Sequence, residues 1–224
     1  MTAHDFELCG ATLRALASGA LHWPAERLLA VSDLHLGKAE RLARRGGSLL
    51  PPYETQDTLM RLEADIEATD PACVLCLGDS FDDSAAAGAL PEDAQLWLAR
   101  LMAGRRWIWV EGNHDPGPLD LGGSHRGSLV LGPLSFRHIA RPEARGEISG
   151  HYHPKLRLAL GGTRISRPCF LIDSARVILP AFGTYTGGLS TEAEALATLM
   201  APGALAVLTG KRAQPVPMQR RRAG

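Results

Sequence analysis

Three short apolar runs, each followed at once by polar residues, constrain the fold of this chain more than any other feature. The runs are residues 28–31, 73–77 and 107–110, and apolar residues at helical spacing in 53–69 and 92–102 lie between them. Strands that alternate with helices predict βαβ units and a largely parallel sheet. The first half of the chain is therefore predicted to be an α/β structure.

The segments on either side of this region predict further strands. Residues 6–23 read as two or three short strands with turns at Gly10 and Gly19. Beyond Asp115 the chain changes to short apolar runs separated by Gly and Pro, which indicates an antiparallel meander forming a second sheet. These later runs are 128–131, 134–138, 147–149, 156–160, 169–172 and 176–179.

The end of the chain carries two further signals. A capping box at Thr191–Glu194 predicts a last helix ahead of Leu196 and Leu199. Residues 213–224, with two prolines and three arginines at 220–222, read as a flexible basic tail. The length of 224 residues fits a single domain, predicted over residues 1–212, although two small domains remain possible on length alone.

Composition excludes several classes of protein. No apolar stretch approaches the roughly 18 residues of a transmembrane helix, and the N-terminus lacks a signal-peptide pattern, so no membrane partner and a cytoplasmic location are expected. Four scattered cysteines are too few for a disulfide scaffold. Cys73 and Cys76 form a CxxC, but their spacing within a strand puts them on opposite faces. Buried strand cysteines are therefore favoured over a metal or redox pair.

The charge is balanced overall but unevenly distributed. Residues 1–115 carry 10 Lys and Arg against 18 Asp and Glu, whereas residues 116–224 carry 14 against 6. The basic second half fits contact with nucleic acid, and the acidic first half fits a set of metal ligands. A chance distribution is an equally good explanation, and both remain open.

Five clusters of Asp, Asn and His follow predicted strands. Ligands gather at the carboxyl ends of parallel strands, so these side chains are expected to meet. Extended backbone would also point the members of each i,i+2 pair, Asp33 with His35 and His151 with His153, to the same side. The clusters are Asp33 and His35, Asp79, Asn113 and His114, His138, and His151 and His153.

The residue types indicate a metal site. Any one of these motifs alone is more often a turn or an ordinary half-buried histidine, but five of the eight histidines fall inside the set. Asp and His without Cys suit Mn²⁺, Fe²⁺ or Zn²⁺. The seven candidate ligands are too many for one ion and enough for two, and two ions can clamp an in-line displacement at phosphorus. They are Asp33, His35, Asp79, Asn113, His138, His151 and His153.

The ordered set D-x-H, G-D, G-N-H-D, H and G-H-x-H resembles the calcineurin-like metallophosphoesterase superfamily. The resemblance implies an α/β fold, a two-sheet β-sandwich flanked by helices. It implies one metal on Asp33, His35, Asp79 and His153, and a second on Asp79, Asn113, His138 and His151, with Asp79 bridging both. It also implies that His114 stabilises the phosphate and protonates the leaving oxygen, while Asp115 orients His114.

Five longer segments carry a narrower resemblance: 33–38, 49–53, 150–154, 167–171 and 180–188. Together they are similar to the bacterial ligase-associated DNA damage response endonucleases. This resemblance implies a DNA substrate, a role in DNA repair, two divalent ions with Mn²⁺ favoured, and a DNA ligase and a helicase as partners. The sequence departs from that family at Asp82, where its members usually carry His and other branches of the superfamily commonly carry an acidic residue.

Basic residues next to the motifs are candidate substrate contacts. Four basic residues follow the first motif and are predicted to meet the phosphate backbone, although a solvated helix face is the alternative: Lys38, Arg41, Arg44 and Arg45. Asp82 is also a candidate substrate contact. Arg137 and Arg141 lie beside the later motifs.

Two other functions fit the same motifs. One is hydrolysis of a small nucleotide or a lipid-linked diphosphate, because such enzymes share these residues. The other is a non-catalytic interaction scaffold, against which the intact His114 and the complete ligand set argue. A phosphodiesterase acting on DNA is the favoured prediction.

Overall fold

The computed structural model describes residues 2–44, 46, 53–82, 88–115 and 121–220, with all side chains except those of residues 40, 43, 44, 160 and 164. The first sheet has seven strands that lie side by side in chain order. They are β1 (Ala3–Leu8), β2 (Ala11–Leu16), β3 (Leu21–Trp23), β4 (Leu28–Val31), β5 (Cys73–Leu77), β6 (Arg106–Val110) and β7 (Ser124–Arg126). Strands β1 to β4 pair antiparallel, and β4 to β7 pair parallel, which confirms the predicted parallel region.

The second sheet is mixed rather than an antiparallel meander. It runs in the order β15-β14-β12-β13-β10-β9-β8, with β11 paired to β12. The meander prediction is wrong because β10 pairs parallel with both β9 and β13. The connection at 138–146 therefore carries the chain back to the end of the sheet at which β9 begins. The strands are β8 (Leu129–Leu131), β9 (Leu134–Arg137), β10 (Glu147–Ser149), β11 (Lys155–Leu160), β12 (Thr163–Ile172), β13 (Arg176–Ile178), β14 (Leu205–Leu208) and β15 (Gln214–Pro217).

The helices cover the outer faces of the two sheets. They are α1 (Lys38–Arg44), α2 (Glu54–Thr69), α3 (Glu92–Met102) and α4 (Glu194–Leu199). The predicted capping box is wrong: Ala193 is the N-cap of α4, and no side chain caps it. Thr191 is fully buried and its backbone N–H donates to Lys155, so the helix begins only after that anchored residue.

Alternation along the strands builds the layers. In β4, Leu29 and Val31 pack against α2 and α3, whereas Leu28 and Ala30 face the second sheet. The far face of the second sheet packs against α4 through a third cluster that includes Leu196. The order is thus helices, sheet, sheet, helix, which confirms the predicted two-sheet sandwich flanked by helices.

The end of the chain is part of the second sheet. Residues 214–217 form β15 on β14, and Met218 is buried. The Arg220 guanidinium donates to the carbonyls of Ala197, Met200 and Ala201 at the end of α4, where unpaired helical carbonyls attract a cation. The prediction of a flexible tail is therefore wrong for residues 214–220, and residues 221–224 lie outside the described part of the chain.

The two cysteines of β5 are arranged as their spacing predicts. Cys73 and Cys76 lie on opposite faces of β5, and all four cysteines are free thiols.

Among the described residues, no helix is both long and apolar enough to cross a membrane.

Asp65 on α2 offers a stability test that is independent of the polar clusters. Burial raises the pKa of this carboxyl to about 6, although a hydrogen bond from Ser18 opposes the rise. A raised acid pKa means that the folded state binds the proton more tightly, so stability falls as pH rises from about 4 to 6.

We expect Asp65→Asn to raise the free energy of unfolding by about 2–3 kcal/mol at pH 8 and by little at pH 4. Denaturant unfolding of both proteins at the two pH values measures the difference. Glu67→Gln, at an exposed position on the same helix, is the matched control and should change little. An Asp65→Asn effect of equal size at both pH values would contradict the account.

Candidate metal centre

The polar clusters meet where the carboxyl ends of the parallel strands of both sheets come together. Asp33, Asp79 and Asn113 follow β4, β5 and β6 of the first sheet, while His138 and His151 follow β9 and β10 of the second. Hydrogen bonds join these ends of the two sheets. The His151 N–H donates to Asp33 Oδ2 at 2.9 Å, and His138 Nδ1 lies 2.9 Å from the Leu77 carbonyl.

Asp33, His35 and His153 form the first of two trios of metal-ligating side chains. One ligand atom from each lies within 4.8 Å of the others. His153 Nε2 is 3.0 Å from Asp33 Oδ1, and the His35 and His153 ring centroids are 5.3 Å apart. Asp33 is completely buried.

Asp79, His138 and His151 form the second trio, again within 4.8 Å. His138 Nε2 lies at its centre, 3.3 Å from Asp79 Oδ2 and 3.2 Å from His151 Nδ1. Asn113 Oδ1 joins it at 2.9 Å from the same nitrogen. The structure thus gathers all seven predicted ligands. Asp79 lies with the second trio, and its bridging of two ions stays a prediction.

The donor set fits divalent cations. The Leu77 carbonyl accepts the Nδ1 proton of His138, so Nε2 carries the lone pair that faces the other ligands. Within the described part of the chain, His35 Nε2 is buried without a hydrogen bond, whereas Asp33 Oδ1 and His153 Nε2 contact each other at 3.0 Å. Buried polar atoms without partners are costly, and a cation held by these atoms removes that cost.

Electrostatics keep the carboxylates ionised. Burial would raise the pKa of Asp79, but the His138 contact and the His114 N–H hold it at about 2. Burial likewise opposes ionisation of Asp33, yet the contact with His153 keeps its pKa below the ordinary value. Both residues are therefore anions over the neutral range, as metal ligands must be.

The ligands adopt an unusual backbone conformation. In the described part of the chain, nine non-glycine residues have positive φ, and five of them are candidate ligands. The extended backbone predicted for the i,i+2 pairs is wrong, because the left-handed conformation directs each pair inward instead. Such residues cost free energy and cluster at functional sites. The five are Asp33, His35, Asp79, His151 and His153.

Two glycines permit the close approach of the loops. A Cβ at Gly150 would overlap the Ser32 hydroxyl, and one at Gly112 would overlap the backbone and carboxylate of Asp79. Glycine is the only residue that fits at these positions. These two glycines therefore let neighbouring loops pack against each other beside the polar residues.

His114 stands at the open side of the centre. Its backbone N–H donates to Asp79 Oδ1 at 2.9 Å, and its ring lies edge-on to His35 with centroids 5.3 Å apart. Its Nδ1 is 3.0 Å from the Asp82 carbonyl, which leaves Nε2 as the nitrogen that can exchange a proton with a substrate.

The predicted role of Asp115 needs correction. Its Oδ2 accepts the backbone N–H groups of Ser80 at 2.7 Å and Phe81 at 3.2 Å, while the Asp82 carbonyl holds the His114 ring. Asp115 therefore shapes the loop after β5, which carries that carbonyl, and does not bind the ring itself. Burial raises its pKa to about 6, against the opposing effect of those N–H groups.

Asp82 is an internal residue rather than a substrate contact. It is fully buried, and its Oδ1 lies 3.0 Å from His35 Nδ1. Arg41 Nε contacts its other oxygen, and Lys38 Nζ lies 3.9 Å away. A carboxylate behind a metal-ligating histidine fixes the ring and leaves Nε2 for the metal.

The basic residues in and after α1 are predicted to contact the substrate. Lys38 Nζ lies 3.9 Å from Asp82 Oδ1, and its contact with substrate stays a prediction. The Arg44 side chain and Arg45 lie outside the described part of the chain. Arg41, also a predicted phosphate contact, lies against Asp82, and its i,i+3 spacing from Lys38 places both on one helix face. The sequence carries no sign of the role of Glu54, whose buried carboxylate accepts the Ala39 N–H at the start of α1.

The match to known proteins agrees with this geometry. Residues 26–165, more than half of the chain, match the family model described as calcineurin-like phosphoesterase. The chain belongs to that family. Among solved structures it is similar to the crystal structure of the Pseudomonas putida nuclease MPE, with 30% identity, a TM-score of 0.74, and coverage of 96% of this chain and 100% of that chain. A comparison with curated proteins finds no match.

Membership of the calcineurin-like phosphoesterase family makes this protein a metal-dependent phosphoesterase, a hydrolase. The two trios are where divalent ions would be held. The similarity to the nuclease extends over nearly the whole chain, so it includes both sheets and the loops that carry the trios.

We expect Asp82→Asn to weaken binding of Mn²⁺, used as the probe ion, at the trio that contains His35 by about 10- to 100-fold, because the amide holds His35 less firmly and leaves Lys38 and Arg41 unneutralised. Isothermal titration calorimetry of the metal-free protein measures the Mn²⁺ affinity. Asp70→Asn, at an exposed carboxylate paired with Arg27 at 2.8 Å, is the control. Unchanged Mn²⁺ affinity in a folded Asp82→Asn protein would contradict the assigned role.

Proposed function

We propose that this protein is a two-metal phosphodiesterase that cleaves DNA. One observation carries the proposal: two trios of buried Asp and His side chains lie side by side, with His138 Nδ1 3.9 Å from Asp33 Oδ1 across the gap between them. The similarity to a nuclease supports the choice of a nucleic acid as substrate. A role in DNA repair beside a ligase and a helicase, and a cytoplasmic location, stay predictions from the sequence resemblance.

The metal ligands divide between the trios. Asp33, His35 and His153 would hold one ion, and Asn113, His138 and His151 the other, with Asp79 shared. Ions of this kind polarise a phosphoryl group and lower the pKa of water. Mn²⁺ is the proposed ion, because oxygen and imidazole ligands without thiolate suit it.

The protein's own groups supply orientation and a proton. The His114 ring is held by the Asp82 carbonyl at Nδ1, so Nε2 is directed to the open side of the centre. In the protonated form, Nε2–H can donate to a phosphate oxygen and then transfer its proton to the leaving oxygen. The contact with the Asp79 carboxylate through the His114 backbone N–H fixes the distance of this residue from the second trio.

A substrate screen after metal reconstitution tests the proposal. The substrates are a bis-aryl phosphodiester, an aryl phosphomonoester, single-stranded and duplex DNA, and nucleotides. Cleavage of the phosphodiester and of DNA with Mn²⁺ is expected, and Asp79→Asn serves as the control that loses bound metal and activity. Hydrolysis of nucleotides with no cleavage of DNA would favour the small-nucleotide alternative and contradict the proposal.

We expect His114→Ala to retain its metals and to lower kcat for DNA cleavage by about 10²–10⁴-fold, as when a general acid is lost. With a nitrophenyl leaving group the loss is smaller, because that oxygen needs less protonation. Elemental analysis and steady-state kinetics on both substrates measure the two effects. Loss of metal from the variant would make His114 a ligand and overturn its role.

A further inference from the structure

A groove of about 430 Å³ opens directly from the second trio. Asn113 and His138 are among its lining residues, so a ligand in the groove lies next to the metal centre. A volume of this size falls in the range of ligand pockets. The groove is lined further by Glu111, Gly127, Arg137, Ile139 and Arg141.

Arg137 is held in place from behind. Its Nε lies 3.0 Å from Glu147 Oε2, and Glu147 is completely buried. A guanidinium fixed through Nε keeps its two terminal nitrogens as a fork that can bind an anion. Because Arg137 directly precedes His138, its position is tied to that of the metal ligand.

The loop that carries Arg141 is also fixed by buried charges. Both carboxylate oxygens of Glu147 accept the Arg141 N–H, at 3.0 and 3.1 Å. The buried Arg176 guanidinium donates to the carbonyls of Arg141 at 3.0 Å, Pro142 at 2.6 Å and Ala144 at 3.1 Å. The loop backbone is thus rigid, while the Arg141 side chain itself is exposed.

Basic, acidic and apolar side chains line the groove. Arg137 and Arg141 are its basic residues, and Glu111 lies near Gly127, with its Oε2 3.5 Å from where a Gly127 side chain would begin. Between the arginines, Ile139 is 46% exposed, which is unusual for a large apolar side chain. Cations with an apolar side chain between them suit a phosphate and the base or sugar attached to it.

We propose that this groove holds the nucleotide next to the scissile phosphate, with Arg137 and Arg141 on its phosphate and Ile139 against its base or sugar. This inference rests on the proposed function. It places the DNA strand in the groove next to the second trio. The basic residues of α1 are less suited, because Lys38 and Arg41 are directed to the buried Asp82.

Kinetics with a short and a long substrate test this assignment. Arg141→Ala is the main variant, because the side chain is exposed and its backbone contacts survive the change. Arg106→Ala is the control. Arg106 is exposed at the start of β6, and the metal centre lies at the other end of that strand.

With the Mn²⁺-loaded protein, we expect Arg141→Ala to raise KM for a single-stranded oligonucleotide by about tenfold, the effect of one lost charge-assisted hydrogen bond. KM for the bis-aryl phosphodiester should change far less. When Arg141→Ala is added to the His114→Ala protein, binding of the oligonucleotide should weaken in parallel. The slope of the logarithm of the binding constant against the logarithm of salt concentration should be smaller by about 0.7. Ile139→Ala should weaken binding without changing the salt slope, and Glu111→Gln should not weaken it.

The outcomes separate the groove from the proposed function. If the wild-type protein cleaves DNA but Arg141→Ala leaves KM and the salt slope unchanged, the groove assignment is wrong and the function stands. An equal loss on both substrates, or an equal loss in Arg106→Ala, also overturns the assignment. If the wild-type protein cleaves the aryl diester yet neither binds nor cuts DNA, both proposals fail together.

Discussion

Burial of the Asp33 and Asp79 carboxylates at the junction of the two sheets is the constraint on which the rest of this structure depends. A buried carboxylate is tolerated only when cations and N–H groups surround it. Here several of the surrounding groups come from the other sheet: His138 and His151 follow β9 and β10, yet contact residues that follow β4 and β5. The two sheets are therefore joined through the polar centre as well as through the apolar core between them.

This constraint explains the shape of the connecting loops. Five ligands adopt positive φ, a conformation that non-glycine residues rarely adopt, and Gly112 and Gly150 let the loops touch. Behind the ligands, Asp82 and Asp115 fix the His35 ring and the loop after β5. Strain of this kind persists only where neighbouring contacts hold it, and these buried carboxylates provide such contacts.

Much of the fold and the centre could be predicted from sequence, for reasons that particular residues make clear. Runs such as Cys73–Leu77 are apolar throughout because β5 is covered on both faces, and the helix at 54–69 shows its period through Leu59, Leu62 and Ile66. The ligands could be predicted because each follows such a strand. The parallel pairing of β10 could not, because three residues carry no sign of which strands lie beside them.

The supporting contacts escaped prediction for a different reason. Asp82 looks like a surface residue of an acidic loop, and only the fold brings α1 over it. The short strands β7 and β14 gave no periodic signal, and β15 contains two prolines, which are compatible only with the edge position it occupies. Glu147 and Arg176, far apart in sequence, show their shared role only where both contact the loop at 141–144.

The proposed function requires two metal ions, one at each of the two trios. Anomalous diffraction at the manganese edge, from crystals grown with Mn²⁺, tests it directly. The account predicts two peaks roughly 3.5–4 Å apart, one beside Asp33, His35 and His153 and the other beside Asn113, His138 and His151, with the Asp79 carboxylate between them. A single peak under saturating Mn²⁺, or peaks away from these residues, would contradict it.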